Sequence, residues 1–463
     1  MIKTKFDETK TEFVNKKICE KKIENNIFYI LTLGCPKNKV DSRKIWNSLT
    51  GLGYCETNSI KKANILIINS CGFIKEAQKE TIDTIFNAIK WKKTDLKNRK
   101  IVLVGCFSQR FEKETKIEIP EVDLIIGTGL YDQVGKIITE KFKKKFNNKK
   151  SENNVNTIKK NNKPYAYFRT SQGCSRRCTF CVIPSIRGKF ISYDLDNIKK
   201  QFIEEKKFRN NDNITEVILV SQDTVSQKIF ELEKIISYFS SLDEVKWIRL
   251  HYLFPDKRIL NIIKLFEKYS KLVSYLDIPF QHISKNILKN MNRPYDSDFF
   301  SEIIQKAIEV RKDIEIRTSF ILGFPGEENR DIDEILNFLE VNQIHKLSLF
   351  SYSHENSFKI NKNNMVADHL IKERINLIRN YHLKNRKPHR QKLLGTIQNV
   401  IIDNVKLDEV SGRRPQDSPE IDEMVFIKTE NLSSIQQGDI IPIELTADME
   451  YDWIGELVKH EPT

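Results

Sequence analysis

No apolar run in this chain approaches the length of a membrane span, because Asn, Ser or Gly breaks the strongest ones within about ten residues. That excludes a helical membrane protein. Cysteine is scarce: eight in 463 residues are too few for a disulfide scaffold. The leader, residues 1–26 (Met1–Asn26), mixes acidic and basic residues and has no hydrophobic core. It is not expected to be a signal peptide, and its acids argue against a transit peptide. Lys141–Lys163 lacks aromatics at stacking intervals and carries nine lysines against one acid, Glu152. It reads as a solvated linker rather than a nucleic-acid face. The net charge of +14 is mostly lysine dispersed among Asn and Ile, so an RNA-containing partner is compatible with it but not indicated by it. A chain of this length holds two to four domains.

What cysteine there is falls into groups, which points to metal and to a reducing, cytoplasmic setting. Cys174, Cys178 and Cys181 form a Cys-x3-Cys-x2-Cys triplet with no fourth cysteine nearby. A structural zinc site wants a fourth protein ligand at a regular spacing. A cubane iron–sulfur cluster has four irons, and thiolates hold them. Three thiolates on one loop hold three irons and leave the fourth open to a small molecule. The motif resembles that of the radical S-adenosylmethionine (SAM) enzymes, where SAM chelates the open iron. Phe180 fits that group's aromatic residue before the third cysteine.

Cys35, Cys71 and Cys106 each end a short apolar, β-branched run: Phe28–Leu33, Ala63–Ile68 and Ile101–Val104. Such runs, separated by helical stretches, predict buried parallel strands of an open α/β sheet. Between the last two, Phe73–Lys90 places Ile74, Ala77, Ile82, Ile85, Phe86 and Ile89 near one helical face. Ligands bind at the carboxyl edge of such a sheet, so three thiols at equivalent strand ends predict a second three-thiolate site. Any one alone would be an ordinary buried cysteine. Cys19 and Cys55 fit neither set and are expected to be thiols without a role.

The chain divides into an N-terminal cysteine-bearing α/β domain (27–142), the linker (143–163), a second domain (164–388) and a β-rich tail (389–463). In the second domain, strand candidates Tyr165–Ser171, Glu216–Val220, Trp247–Leu250, Tyr275–Ile278, Glu315–Leu322 and Lys346–Tyr352 alternate with helical segments. Repeated βα units predict a parallel barrel, whole or partial. The cysteine triplet follows the first strand and so lies at the barrel's carboxyl mouth. Ser221-Gln222-Asp223, His251-Tyr252, Gln281-His282 and the Gly323–Gly326 turn face the same mouth, although Asp223 alone would also suit a helix cap. The tail, with expected turns at Ser411-Gly412 and Gly438-Asp439, suggests a small antiparallel β-barrel.

Taken together, the two cysteine sets and the three-part order resemble the methylthiotransferases, from Ile27 to Leu457. These have an N-terminal cluster domain, a radical SAM barrel and a TRAM domain. One branch modifies an adenosine of tRNA, the other an aspartate of small-subunit ribosomal protein twelve. Leu33–Asn38, Ser70–Ile74, Gly105–Arg110, Val182–Lys189, Arg249–Tyr252, Leu276–His282, Arg317–Glu327 and Asp417–Asp422 resemble the ribosomal-protein branch. The tRNA branch's Gly-Cys-Gln-Met-Asn, Thr-Cys-Ser-Val-Arg and Pro-Val-Gln-Ser-Gly are absent. Gln172 and Glu423 depart from the family's usual Glu and Gly.

The resemblance implies two [4Fe–4S] clusters. The one on Cys174, Cys178 and Cys181 would cleave SAM to a 5′-deoxyadenosyl radical; the one on Cys35, Cys71 and Cys106 would hold the sulfur that is methylated and transferred to the aspartate β-carbon. It also implies an electron donor such as a flavodoxin or ferredoxin. From barrel position, Phe180, Ser221, Gln222, Arg317 and Gly323 are expected to contact SAM. The alternatives are a tRNA adenosine methylthiotransferase and, in another class, a non-catalytic iron–sulfur carrier or ribosome assembly factor.

Overall fold

The computed structural model describes residues 26–95, 98–142, 163–210, 212–354, 364–406, 409–429 and 435–458. Cys19, residues 1–25 of the leader and the stretch 143–162 lie outside the described residues. No helix among the described residues is long and apolar enough to cross a membrane.

Strands β1 (Ile27–Thr32), β2 (Cys55–Glu56), β3 (Ile65–Ser70), β4 (Lys100–Gly105) and β5 (Leu124–Ile126) form an open parallel sheet in the order β2-β1-β3-β4-β5. Alternate side chains of a strand point to opposite faces. Ile65, Ile67, Val102 and Val104 therefore enter one apolar core with Ile45, Trp46 and Val134, while Leu66, Ile68, Ile101 and Leu103 enter the other with Ile85 and Ile89. Burial on both sides explains why these strands read as unbroken apolar runs rather than alternating ones. The helix Lys75–Lys93 buries Thr81, Ile85, Ala88 and Ile89. Phe86, expected on that face, is instead 52% exposed, because it lies a quarter-turn round from Ile85.

The second unit opens with β6 (Tyr165–Arg169). A hairpin of β7 (Ser171–Gln172) and β8 (Ile191–Ser192) brackets the loop carrying the cysteine triplet. Then follow β9 (Glu216–Val220), β10 (Trp247–Leu250), β11 (Tyr275–Asp277), β12 (Glu315–Leu322) and β13 (Lys346–Ser351). All pair in parallel, as β10-β9-β6 and β11-β12-β13, and the two sheets meet at the bridge Ile248–Leu272. The result is a partial (β/α) barrel. Three of its helices start at recognisable caps: Asp194 and Asp296 accept the amides of Asn197 and Phe299, and Glu328 with Asp331 forms a capping box.

The long helix Asp368–Leu393 contains Pro388, where the composition had suggested a boundary, and runs on to Leu393. Five strands then close a barrel: β14 (Ile397–Val405), β15 (Val410–Arg413), β16 (Val425–Lys428), β17 (Ile440–Asp448) and β18 (Trp453–Leu457). It is antiparallel except at the β16–β18 seam, which is parallel. Ser411 and Gly412, expected as a turn, lie within β15. Gly412 is required there because a Cβ would stand 2.3 Å from the Ile401 carbonyl oxygen.

The small barrel docks through charge. Arg413 pairs with Asp403 and with Glu216 at the start of β9; Arg414 pairs with Asp417 and with Glu315 at the start of β12. Glu423, where a glycine was expected, is a buried link accepting from Trp453 (2.7 Å) and Arg386 (2.9 Å). Ser418 reaches His251 at 2.9 Å.

Two buried histidines make the assembly sensitive to acid. Nδ1 of His345 accepts the Ile316 amide at 3.0 Å, and burial, outweighing the attraction of Glu315, lowers its pKa to about 3. Burial and the charge of Arg386 lower that of His382 to about 4. Both folded values lie below the unfolded one near 6.5, so the unfolded chain binds more protons and stability falls as pH drops below ~6.5. At pH 5 the loss is on the order of 2 kcal/mol for each histidine. A urea midpoint unchanged between pH 7.5 and pH 5 would contradict this.

Candidate functional site

The three cysteines of the first set stand where the sheet predicts. Cys35 follows β1 after Leu33 and Gly34 and precedes helix α1 (Pro36–Thr50), Cys71 directly follows β3, and Cys106 directly follows β4. Glycines let these loops crowd together. Gly34 has φ +79°, and a Cβ there would lie 2.7 Å from Cys71 Sγ. At Gly72 a Cβ would strike the main chain of Phe107 at 2.8 Å. Burial raises the Cys71 thiol to about 12, with Cys35 and Cys106 close enough to add to the rise. Burial also raises Cys106, against Arg187, whose Nε and Nη2 donate to its sulfur at 3.2 and 3.0 Å.

The second set lies on the loop between β7 and β8. Arg176, between Cys174 and Cys178, anchors the loop: its Nε donates to Asp223 at 2.7 Å, and it also pairs with Asp256. Asp223 serves in addition as the cap expected of it, accepting the Ser226 amide. Thr179 Oγ1 donates to the Asn290 carbonyl at 2.8 Å, and Arg293 bonds to the Cys178 sulfur. Burial raises Cys174, and it pushes Cys181 up to about 12.

Does each donor set fit an iron–sulfur cluster? Among the described residues no three His, Cys, Asp or Glu side chains are placed to share one metal ion. Thiolates that each bind a different iron of a cubane stand further apart than ligands of one ion. Three mutually interacting thiols, buried or half-buried and beside a guanidinium group, on a backbone whose glycines leave no room for a Cβ, fit such a cluster. Binding would displace their protons.

The interface between the two sets went unseen in the sequence. Asp41 of α1, fully buried, holds Arg169 at the end of β6 and Arg187 after the triplet, each at 2.7 Å. Arg187 also donates to Asn38 at 2.9 Å. This pins the Cys35 loop and Cys106 to the barrel mouth. Lys37 donates to the Ser221 carbonyl at 3.3 Å and sits 3.2 Å from the Tyr252 ring centroid. Asp277 accepts from His251 and from the Tyr252 amide; burial opposes its ionisation, but these bonds and Arg317 hold it down at about 2. No local pattern signals these residues, since each pairing joins segments far apart in the chain.

The residues expected to contact SAM stand as follows. Phe180 packs against Met291, Phe324 and Tyr352. Ser221 is buried and shares a hydrogen bond with Thr224. The side-chain oxygen of Gln222 is buried without a donor. Gly323 gives its amide to Glu327 at 3.0 Å, and a Cβ there would meet Ile371 at 2.3 Å, so that glycine serves helix packing. Arg317 is the third residue of the eight-residue β12, level with Asp277 at the end of β11, and it binds Asp422, Asp277 and Ser348. Gln172 accepts from Tyr193 OH at 3.1 Å. Cys55 opens β2 opposite Ile27, at the other end of the sheet from the first set.

A cysteine-ended sheet clamped to a partial barrel whose first loop carries Cys-x3-Cys-x2-Cys defines a radical SAM enzyme with an added N-terminal domain and a tail barrel. Residues 168–339 match the Radical SAM superfamily, residues 394–458 the TRAM domain, and residues 27–127 the uncharacterized protein family UPF0004. The ribosomal protein uS12 methylthiotransferase RimO of Leptospira biflexa is 38% identical, covering 92% of this chain and 97% of its own length. The RimO proteins of Clostridioides difficile and Geotalea uraniireducens are 32% and 34% identical, covering 92% and 93% of this chain and 98% of theirs. The chain therefore belongs to the RimO methylthiotransferase family. Among solved structures, the cobalamin-dependent SAM radical enzyme OxsB is similar at 14% identity and a TM-score of 0.48, over 72% of this chain and 54% of its own.

Proposed function

We propose that this protein transfers a methylthio group to the β-carbon of an aspartate in ribosomal protein uS12. The observation that carries the reading is the clamp of Asp41, Arg169 and Arg187, which holds two separate three-thiol sites against one barrel mouth. Cys174, Cys178 and Cys181 would hold one [4Fe–4S] cluster, which would supply the electron for SAM cleavage, and Cys35, Cys71 and Cys106 a second, which would supply the sulfur. The protein's own part is placement. Arg176 fixes the triplet loop on Asp223 and Asp256, and Arg293 offsets charge at Cys178. Arg187 sets positive charge against the Cys106 sulfur, and the buried apolar wall around Phe180 excludes water.

Gln222, with its unpartnered buried oxygen, and Ser221 and Phe180 are the assigned SAM contacts; Arg317 is assigned to barrel docking. The electron donor is a small one-electron carrier of the flavodoxin or ferredoxin class, and the setting is the cytoplasm. The test is expression in cells lacking their own methylthiotransferases, followed by mass spectrometry of intact uS12 and of digested tRNA. A methylthio gain on the uS12 aspartate alone is expected. A methylthio-adenosine signal with unmodified uS12 would overturn the reading.

A further inference from the structure

Lys37 is a buried lysine without a carboxylate partner. It is 9% exposed, and among the described residues no carboxylate lies within ion-pair distance of it. Other buried lysines and arginines have one: Arg169 and Arg187 hold Asp41, Arg249 holds Glu216, Arg374 holds Glu327, and Lys346 holds Glu315. Arg293 and Lys37 are the exceptions: Arg293 faces the Cys178 thiol, and Lys37 faces that of Cys35, two residues away. Leaving a buried charge without a counter-ion is costly unless something supplies one.

The position is also built with care. Arg169 Nη2 donates to the main-chain carbonyl of Lys37, fixing the start of α1. Tyr252, under the ammonium, adopts φ +59°, a left-handed conformation that strains an aromatic residue, and its amide is tied to Asp277 at 3.1 Å. The nearby carboxylate of Asp277 is already taken by His251 and Arg317. The first turn of α1 has neither an acidic residue nor a side-chain cap, so its N-terminal end adds positive potential.

We propose that Lys37 receives the side-chain carboxylate of the substrate aspartate. This rests on the methylthiotransferase reading and deepens it. The β-carbon that takes the sulfur is bonded directly to that carboxylate carbon, so holding the carboxylate places the reacting carbon. Lys37 is two residues from Cys35 and touches the end of β9, between the sulfur-holding set and the barrel mouth. A neutral amide at the target position would forfeit the charge-assisted bond, which is worth about tenfold or more in affinity.

The test measures binding of labelled uS12 peptides, with the target aspartate or with asparagine in its place, to the full-length, cluster-reconstituted protein. The wild type is expected to bind the aspartate peptide about tenfold or more tightly. Lys37→Met is expected to bring that ratio to near one, and Lys37→Arg to retain a preference. A wild-type ratio near one overturns the proposal without any variant, and so does a Lys37→Met protein that keeps the ratio. SAM is the other carboxylate at the site, so its affinity is measured alongside. A Lys37→Met protein weakened for SAM, with its peptide ratio intact, assigns the lysine to SAM and also overturns the proposal. A wild type that methylthiolates uS12 yet shows no aspartate preference fails this proposal alone. A wild type that makes no product removes the reading beneath it.

Discussion

A Cys174→Ala protein is expected to release no 5′-deoxyadenosine from SAM and to make no methylthio product, whereas Cys71→Ala keeps the first reaction and loses the second. Each loss should reach background, because a cluster held by two thiolates in place of three lacks a ligand that no neighbour replaces. The folds should survive. The triplet loop is anchored independently by Arg176 on Asp223 and Asp256, and by Thr179 on Asn290. Cys71 is a small buried side chain packed beside Gly34, and alanine fits the same space. The measurement is anaerobic turnover with dithionite, following deoxyadenosine and methylthiolated uS12 in parallel. Persistent product from Cys71→Ala would remove the sulfur-donor role from the first set.

Asp41→Ala should produce the largest loss of stability. The carboxylate is fully buried and stays ionised against burial because Arg169 and Arg187 flank it. Arg169 Nη1 is 2.7 Å from Oδ1, at ion-pair distance without hydrogen-bond alignment; Arg187 Nη1 donates to Oδ2. Removing one partner of a buried ionic group leaves the other charges uncompensated and costs about 3–5 kcal/mol. Here two guanidinium groups are stranded, so the N-terminal domain should part from the barrel. The expected signs are a lowered urea midpoint, new proteolysis within α1, and methylthiolation lost by a larger factor than SAM cleavage. Equal losses in both reactions would show that the clamp does not act by holding the two sites together.

Several elements were legible because their signal is local. Cysteine spacing on one loop, β-branched runs ending at cysteines and capped helices are set by residues within a dozen positions of one another. The sheet, the partial barrel and the tail barrel followed from them. Errors arose where burial depends on distant partners. Phe86 looked like core but had no layer to cover it, and Ser411-Gly412 looked like a turn but completes a closed barrel. Glu423 stands in a glycine's place because Trp453 and Arg386 give its carboxylate partners.

The sequence by itself determined that the thiols fall into two sets, one on a single loop and one at strand ends, since spacing and apolar runs are local facts. Only the tertiary structure decided how the two thiol sets are held together. Asp41 meets Arg169 and Arg187, Lys37 meets Ser221, and Arg413 meets Glu216 across spans of 128 to 197 residues. A charged residue reads as surface until folding withdraws it from water. The desolvation it then suffers forces a partner upon it, and no stretch of chain reveals which partner that is.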